Sequence, residues 1–535
     1  MNKKPNILII TTDQQRYDTL GIHNPIIKTP VLDQLALEGQ CFTQAYSPNP
    51  VCVPARYNLL TGLSCKHHGF DDNDFGHVRH IPFDLPTFPE ILSDNGYETI
   101  AIGKIHFQPN RDARGIHHYM MMDEIPHYRE EDDYAMYLKQ SHPELSFVHG
   151  VRDPLYMMPQ TSMVEIQHHG STWVADRSIE TIKRIGGNRP FMMWSGFIHP
   201  HPPLDIPKEY KDLYKNAPIK ECIPAIDPLS WLAIENKNIV NYPDPSYLKR
   251  FKELYYSAIT YVDTQIGRII ESLRETGQLD NTLILFCSDH GEMLGDLGTY
   301  QKFLPHDSSA RVPMILRYPS KIKAGLTSNS FVSLNDILPT ILDLTGIPYP
   351  AKHELLGKSL FDLSDRSSTV MEHGRGDRRW ISLVTLEYKY TYYYGGSREE
   401  LIDRIKDPGE QFNLMNHPDT SIEKIASQFK QKLIAWEMRH GLSDHIENGS
   451  FKVYDSPTIQ PFMGTGTIIF PNQITDPLEK SKVSSLAHQI IESVKNEAII
   501  DLSKIDFSYM IQTKQLSLEE VSMIIEADKQ KSHLK

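Results

Sequence analysis

Four short apolar runs, each ending in a polar cluster, constrain this 535-residue chain more than any other feature of its sequence. Asn6 to Thr12 runs into Asp13-Gln14, and Tyr97 to Ile102 runs into Gly103-Lys104-Ile105-His106. Pro190 to Ile198 delivers His199-Pro200-His201, and Thr282 to Ser288 delivers Asp289-His290-Gly291-Glu292. Apolar runs this short, without polar alternation, are what strands buried on both faces look like. Helical patterns separate them. Thr29-Pro30 opens one that runs to Gly39, Pro54 sits in the first turn of another that carries Arg56 and ends near Gly62, and Leu85 to Asn95 reads as a third. Ser171 caps a helix to Gly186, and Phe251, Leu254, Ala258, Val262, Ile266, Ile269 and Leu273 mark a long amphipathic helix stopped by Gly277. The expected fold class is therefore α/β, a large, mostly parallel (mixed) sheet sandwiched by helices. Polar residues at the ends of parallel strands gather on one sheet edge, so a single composite site is expected there.

The catalytic α/β domain is expected over residues 1–348, followed over 349–440 by a smaller α+β subdomain. In the latter, Trp380 to Thr385 and Tyr388 to Tyr394 pair as strands and Ile422 to Arg439 forms a helix upon them. Residues 441–535 hold a Gly- and Pro-bearing stretch at Gly464 to Pro471 and helical patterns at Leu478 to Asn496 and Leu516 to Lys529. They carry no chemical motif and read as a packing arm or as a subunit contact in a homo-oligomer. The stretch from Gln108 to Gly170 is weakly periodic and crowded with His, Met and Tyr, the signature of an irregular insertion over a sheet edge. No apolar run is long enough for a membrane-spanning helix. A net charge of −13 disfavours nucleic acid and anionic lipid as partners, so an anionic substrate would have to be attracted locally. Cys41, Cys52, Cys65, Cys222 and Cys287 are too few and too irregularly placed for a disulfide framework. The opening Met-Asn-Lys-Lys-Pro-Asn leads straight into a strand, without the apolar length or cleavage site of an export signal. A cytoplasmic location is expected, or a periplasmic one if the native N-terminus was trimmed.

Cys52-Val-Pro54-Ala-Arg56, followed by Thr61-Gly62, resembles the signature of the type I, formylglycine-dependent sulfatases of the alkaline phosphatase superfamily. The resemblance extends over roughly residues 5 to 415, with the motifs in the family's order. It implies that a formylglycine-generating or anaerobic sulfatase-maturing enzyme oxidises Cys52 to formylglycine. It also implies one divalent metal on Asp13, Gln14, Asp289 and His290, together with the modified Cys52. Hard oxygen ligands with one imidazole suit Ca²⁺, Mg²⁺ or Mn²⁺ better than a soft metal, and Ca²⁺ is the first expectation, with Mg²⁺ or Mn²⁺ as alternatives. Many members of the family carry a second Asp where this chain has Gln14.

Lys104-Ile-His106 resembles the pair that holds the sulfate and handles a proton of the hydrate, while His201 and Lys302 match positions at the leaving oxygen. Arg56 would stabilise the ionised hydrate, Asn73 would bond the transferred group, and His199 would orient the pocket or line it. Arg375 and Arg378, in Gly374 to Trp380, belong either to a solvated loop or to local anion contacts. The substrate implied is a small sulfate ester, favoured as a sulfated, glycosaminoglycan-derived saccharide. Two rivals remain: a phosphonate monoester hydrolase or phosphodiesterase of the same superfamily, and an inactive, carbohydrate-binding version of the fold. Against the first stands the Lys104-x-His106 pair, which those relatives generally lack.

Overall fold

In the computed structural model the described residues are 3–73, 79–124, 129–142, 159–238, 245–459, 489, 492, 507, 511 and 516–532. The N-terminal elements are β1 (Asn6–Asp13), α1 (Pro30–Glu38), β2 (Gln40–Tyr46), α2 (Cys52–Thr61), α3 (Cys65–His68), α4 (Phe88–Asp94), β3 (Glu98–Gly103), β4 (His118–Met121) and α5 (Asp133–Ser141). There follow β5 (Gln160–Thr161), α6 (Gly170–Ile185), β6 (Phe191–Pro200), β7 (Asp205–Ile206), α7 (Trp231–Lys237), α8 (Pro245–Glu275), β8 (Thr282–Ser288), α9 (Asp307–Ala310), β9 (Met314–Arg317), β10 (Leu326–Ser333) and α10 (Ile337–Thr345). The last part holds β11 (Ser368–His373), β12 (Trp380–Thr385), β13 (Tyr388–Tyr393), β14 (Arg398–Asp403), α11 (Thr420–Arg439) and α12 (Leu518–Ser532).

Eight strands form one sheet in the order β10-β2-β9-β8-β1-β6-β3-β4. Only β9 runs antiparallel to its neighbours β2 and β8. The expected mixed, mostly parallel sheet is thus present. More useful for function, β8, β1, β6 and β3 are consecutive and mutually parallel. Neighbouring strands lie about 4.8 Å apart, so the four polar clusters at their carboxyl ends fall side by side.

The strands are apolar on both faces because both faces are covered. Ile7 and Ile9 of β1 pack with Leu59 of α2, Leu92 of α4 and Ile341 of α10. Leu8 and Ile10 face the other way, onto Leu35 of α1, Val174 of α6 and Ile266 of α8. At the crossing of β3 and β6 two glycines meet. A Cβ on Gly103, whose φ is +89°, would lie 2.0 Å from the Gly196 carbonyl oxygen, and one on Gly196 would lie 2.1 Å from that of Lys104. Only glycine permits this approach, and it brings the Lys104 backbone in beside β6.

Two local expectations shift and one holds. The helix read from Leu85 begins at Phe88, where Thr87 and Glu90 form a reciprocal cap. Helix α6 is capped by the His169 ring, which accepts from the Ser171 backbone N–H, so Ser171 lies inside it. Helix α2 starts at Cys52 itself, with Pro54 in the first turn, where a missing N–H costs no helical bond.

The sheet β11-β12-β13-β14 is antiparallel and carries α11 on one face through Phe429 and Leu433. Its other face meets the large sheet's domain, with Trp380, Val384 and Tyr393 packed among Tyr46, Leu304 and Ala310. Phe507, Leu516 and Val521, near and within α12, are buried with Leu254 and Ala258 of α8 and with Leu204 and Ile206. The Gly464 to Pro471 stretch and the helix read at Leu478 to Asn496 fall outside the described residues, apart from Gln489 and Glu492, as does part of the 108–170 insertion. Among the described residues no helix is long and apolar enough to cross a membrane.

Candidate active site

The strand order brings Asp13, Gln14, Cys52, Arg56, Lys104, His106, His201, Asp289, His290 and Lys302 onto the carboxyl edge of the sheet, each 5% exposed or less. Helix α2 presents its first residue, Cys52, to the strand ends. Cys52 Sγ lies 3.2 Å from His290 Nε2, 3.9 Å from Asp13 Oδ1 and 3.0 Å from Lys302 Nζ. Arg56, one helical turn on, donates through Nε to Asp289 Oδ2 at 2.9 Å, through a terminal nitrogen to Asp13 Oδ2 at 3.1 Å and through the other to the Lys104 carbonyl at 2.6 Å. Its planar fork thereby ties β1, β3 and the end of β8 together. Gln14 and His106 hold left-handed backbone conformations, φ 65° and 62°, at the ends of β1 and β3. Non-glycine residues adopt this region at a cost and concentrate at functional sites.

The donors fit a divalent cation. Ligand atoms of Asp13, Cys52, Asp289 and His290 all lie within 4.8 Å of one another and are buried. The His290 Nδ1–H donates to the Gly291 carbonyl at 3.0 Å, which leaves the Nε2 lone pair turned toward Cys52 and Asp13. Burial also lowers the His290 pKa to about 4, so the ring is neutral and able to ligate. Gln14 is oriented in the same manner. Its amide N–H donates to Glu292, and its Oε1 is turned inward to accept from Lys302 Nζ at 3.0 Å.

Electrostatics separate the groups by role. Burial would raise the Asp13 carboxyl, but Lys104, His201, Arg56 and His290 together hold it well below the usual carboxylate range. Burial, with Asp13 beside it, pushes the Cys52 thiol up to about 12, so the unmodified side chain is a protonated thiol and a poor nucleophile at neutral pH. Lys104 Nζ sits between Asp13 Oδ2 and Glu124 Oε2, 2.6 Å from each. These two carboxylates outweigh the desolvation of Lys104 and keep it charged. The His201 Nδ1–H donates to the Pro202 carbonyl at 2.7 Å, so its Nε2 accepts from Lys302 Nζ at 2.9 Å. Burial drives the His201 pKa well below the ordinary value, with Lys302 and Lys104 reinforcing it. Lys302 is therefore the charged member of the pair and His201 the neutral one. Burial lowers the His106 pKa to about 4.

The remaining expected residues lie around this centre. Asn73 Oδ1 accepts from the Val53 backbone N–H at 2.9 Å, beside Cys52 at the start of α2. Arg375 is half exposed and pairs with Asp71 at 2.7 Å, two residues before Asn73. Arg378 is bidentate to Glu235, at 2.8 and 3.0 Å, over the Trp231 ring. His199 faces away from the thiol. It bonds Asp205 at 3.1 Å and stacks on His169, so it anchors the segment that delivers His201. His169, His199 and Asp205 have the donor types of a metal site, but His169 Nδ1 already accepts from Ser171, which places its proton on Nε2, toward Asp205. That proton blocks ligation.

Sequence reasoning assigned no role to Glu124 or Glu292. Glu292 ends the Asp289-His290-Gly291-Glu292 run and was open to recognition there. Glu124 lies in the aperiodic insertion and left no such signal. It stands 5% exposed at the end of β4, with Oε2 also 3.4 Å from His201 Nε2.

A buried cluster of cations against carboxylates and a neutral imidazole, at the carboxyl edge of an α/β sheet, suits the hydrolysis of oxyanion esters. The sulfatase family model matches residues 5–347, and the model of the N-sulphoglucosamine sulphohydrolase C-terminal region matches residues 295–439. An arylsulfatase of Clostridium perfringens is 34% identical over 448 residues, covering 77% of this chain and 90% of its own. An ulvan-active sulfatase of Formosa agariphila is 30% identical, covering 80% of each. The solved phosphonate monoester hydrolase of Agrobacterium radiobacter shares the fold, with a TM-score of 0.67 at 23% identity over 82% of this chain and 96% of that one. The chain belongs to the sulfatase family of the alkaline phosphatase superfamily. It is a sulfuric ester hydrolase.

Proposed function

We propose that the protein hydrolyses the sulfate monoester of a sulfated, glycosaminoglycan-derived saccharide, with Cys52 converted to formylglycine by a maturation enzyme. The observation that carries this reading is the position of Lys302 Nζ, within 3.0 Å of Cys52 Sγ, Gln14 Oε1 and His201 Nε2 at once. One ammonium there neighbours the nucleophile, the metal-side amide and the leaving-group imidazole. Asp13, Gln14, Asp289 and His290 would hold a divalent ion, with Ca²⁺ favoured, which supplies charge neutralisation to the nucleophile and the sulfate. Formylglycine at position 52, once formed and hydrated, would supply the nucleophilic oxygen and a second hydroxyl, which an unmodified cysteine lacks.

This chain's own residues do the rest. Arg56 fixes Asp13 and Asp289 in place and adds positive charge on the side of Cys52 away from the substrate. Lys104 holds a sulfate oxygen. The Lys302–His201 pair passes a proton to the departing alcohol oxygen, Lys302 donating and His201 Nε2 holding the line of the bond. His106, neutral through burial, takes the proton of the remaining hydroxyl when sulfate is released. Asn73, placed beside Cys52, bonds the transferred group, and Arg375 and Arg378 lie on the outer loops where larger anions would approach.

The saccharide preference is supported by the match of residues 295–439 to the N-sulphoglucosamine sulphohydrolase C-terminal model and by the ulvan-active relative. The phosphonate monoester hydrolase shares the fold, and Lys104 with His106 favours sulfate over that alternative. The test is peptide mass spectrometry across Cys52 on protein made with a maturation enzyme, combined with turnover of sulfate and phosphonate monoesters side by side. The expected result is thiol-to-aldehyde conversion, preferential sulfate release and loss of at least about 10³-fold in turnover for Cys52→Ala. Undiminished turnover in Cys52→Ala, or faster phosphonate hydrolysis, would overturn the reading.

A further inference from the structure

Glu124 is an anomaly in a pocket built for an anion. Its Oε2 lies 2.6 Å from Lys104 Nζ and 3.4 Å from His201 Nε2. Glu124, His201 and Cys52 also form a cluster in which the ligand atoms are all within 4.8 Å of one another. The carboxylate therefore borders the space in which the ester must react, on the side of the imidazole that serves the leaving oxygen. A negative group there repels the sulfate itself, so its presence has to be repaid by another part of the substrate.

The position is also built. Asp123 Oδ1 accepts from the Glu124 backbone N–H at 2.6 Å, and Asp132 Oδ2 accepts from the Asp123 N–H at 2.7 Å. Asp132 in turn caps α5 through its other oxygen, bonded to the Ala135 N–H at 2.7 Å. Two successive side-chain-to-backbone bonds thus fix the turn that carries Glu124 to the end of a helix, which pre-organises the carboxylate.

We propose that Glu124 is a specificity-determining residue that reads the alcohol half of the substrate, accepting a hydrogen bond from a hydroxyl or ammonium group next to the sulfated carbon. This rests on the reading of the site as one that hydrolyses the sulfate ester of a saccharide. A carboxylate accepts such bonds strongly, and a site built to bond a donor rejects the analogue that lacks it. Sugar and amino-sugar sulfates carry that donor. A simple aryl sulfate does not, and it meets Glu124 only as a like charge.

The experiment uses mass-verified, formylglycine-containing enzyme with the 2-, 3-, 4- and 6-sulfates of methyl glucoside and methyl glucosaminide, and with 4-nitrophenyl sulfate. The best saccharide sulfate is then compared with its deoxy analogue lacking the donor nearest the sulfated carbon. For wild-type enzyme, kcat/KM is expected to fall at least about tenfold on removing that donor, the worth of one charge-assisted hydrogen bond. In Glu124→Gln the saccharide-to-deoxy ratio is expected to shrink by a similar factor, and saccharide turnover to fall more than aryl sulfate turnover. A wild-type ratio near one overturns the proposal without any variant. So does a parallel loss on all substrates in Glu124→Gln, which would make Glu124 only a partner of Lys104. Turnover of the aryl sulfate alone overturns this proposal while leaving the sulfatase intact, whereas no sulfate release from any ester would sink the functional reading beneath it.

Discussion

Arg56 shows how much of this site depends on one side chain. It is 1% exposed and is shared by Asp13 and Asp289, two of the residues that would hold the metal. Removing one partner of a buried ion pair costs about 3–5 kcal/mol, because the remaining charge is left in a low-dielectric setting. Arg56→Ala is therefore expected to lose about that much stability in urea denaturation of chelator-treated protein. The loss should be smaller in metal-saturated protein, since a divalent ion would neutralise the same carboxylates. Equal losses with and without metal would show that Asp13 and Asp289 do not share an ion. Lys104, a second buried cation, held between Asp13 and Glu124, follows the same logic. The residues that sequence reasoning found are those carried by short motifs, from Asp13-Gln14 to Asp289-His290. Glu124 escaped because its partners, Lys104 and His201, are 20 and 77 positions away and no local pattern records the meeting.

At the level of elements, helix α1 illustrates a cap supplied from outside. Thr29 stands at its N-cap, but its side chain accepts from no backbone N–H of the helix. Instead Asp263, in the middle of α8, accepts from the Val31 and Leu32 N–H groups at 3.1 and 2.8 Å. Loss of an N-cap side chain costs about 1 kcal/mol, and up to about 2 in protein hosts. Asp263→Ala is expected to destabilise the protein by that amount, seen as a lower urea midpoint at unchanged slope. Thr29-Pro30 was readable as a helix start from sequence, and the donor of the cap, more than 230 residues away, was not. Strand existence was readable for the same reason that helix capping was not: an apolar run buried on both faces reports its own environment, whereas a tertiary hydrogen bond is written in neither segment alone. The β12–β13 pairing and the α11 helix were likewise foreseen, but not the role of Trp380. Its indole N–H donates to the Phe303 carbonyl at 2.8 Å and so braces the segment that bears Lys302.

The whole molecule concentrates neutral histidines in its interior. Burial lowers the pKa of His68 to about 3 and those of His106, His169 and His290 to about 4. Their folded values lie below the unfolded value near 6.5, so the stability they contribute is full above about pH 6.5 and is lost as pH falls toward 4. Each such group takes up one proton on unfolding, or about 1.4 kcal/mol per pH unit. Asp132 and Asp263, which burial pushes up to about 8 and about 7, act in the opposite sense over the same window, so the net slope is smaller than four protons. The urea stability of metal-free protein is expected to fall by more than about 1 kcal/mol per pH unit between pH 6 and 5. A flat profile there would mean that these rings are charged in the folded state.

Sequence alone determined the class of fold and singled out the strand-end motif residues that the structure brings together, because period, burial and spacing are local properties that short segments express. It also determined the family, since Cys52-Val-Pro54-Ala-Arg56 and its companions keep a fixed order along the chain. Only the tertiary structure decided that β8, β1, β6 and β3 lie next to one another, that Lys302 sits within hydrogen-bonding distance of Cys52, Gln14 and His201, and that His199 turns away to Asp205. It alone placed Glu124 beside Lys104 and His201. Electrostatic and hydrogen-bond partners are chosen by distance in space, and a folded chain brings together residues whose separation in sequence carries no information about that distance.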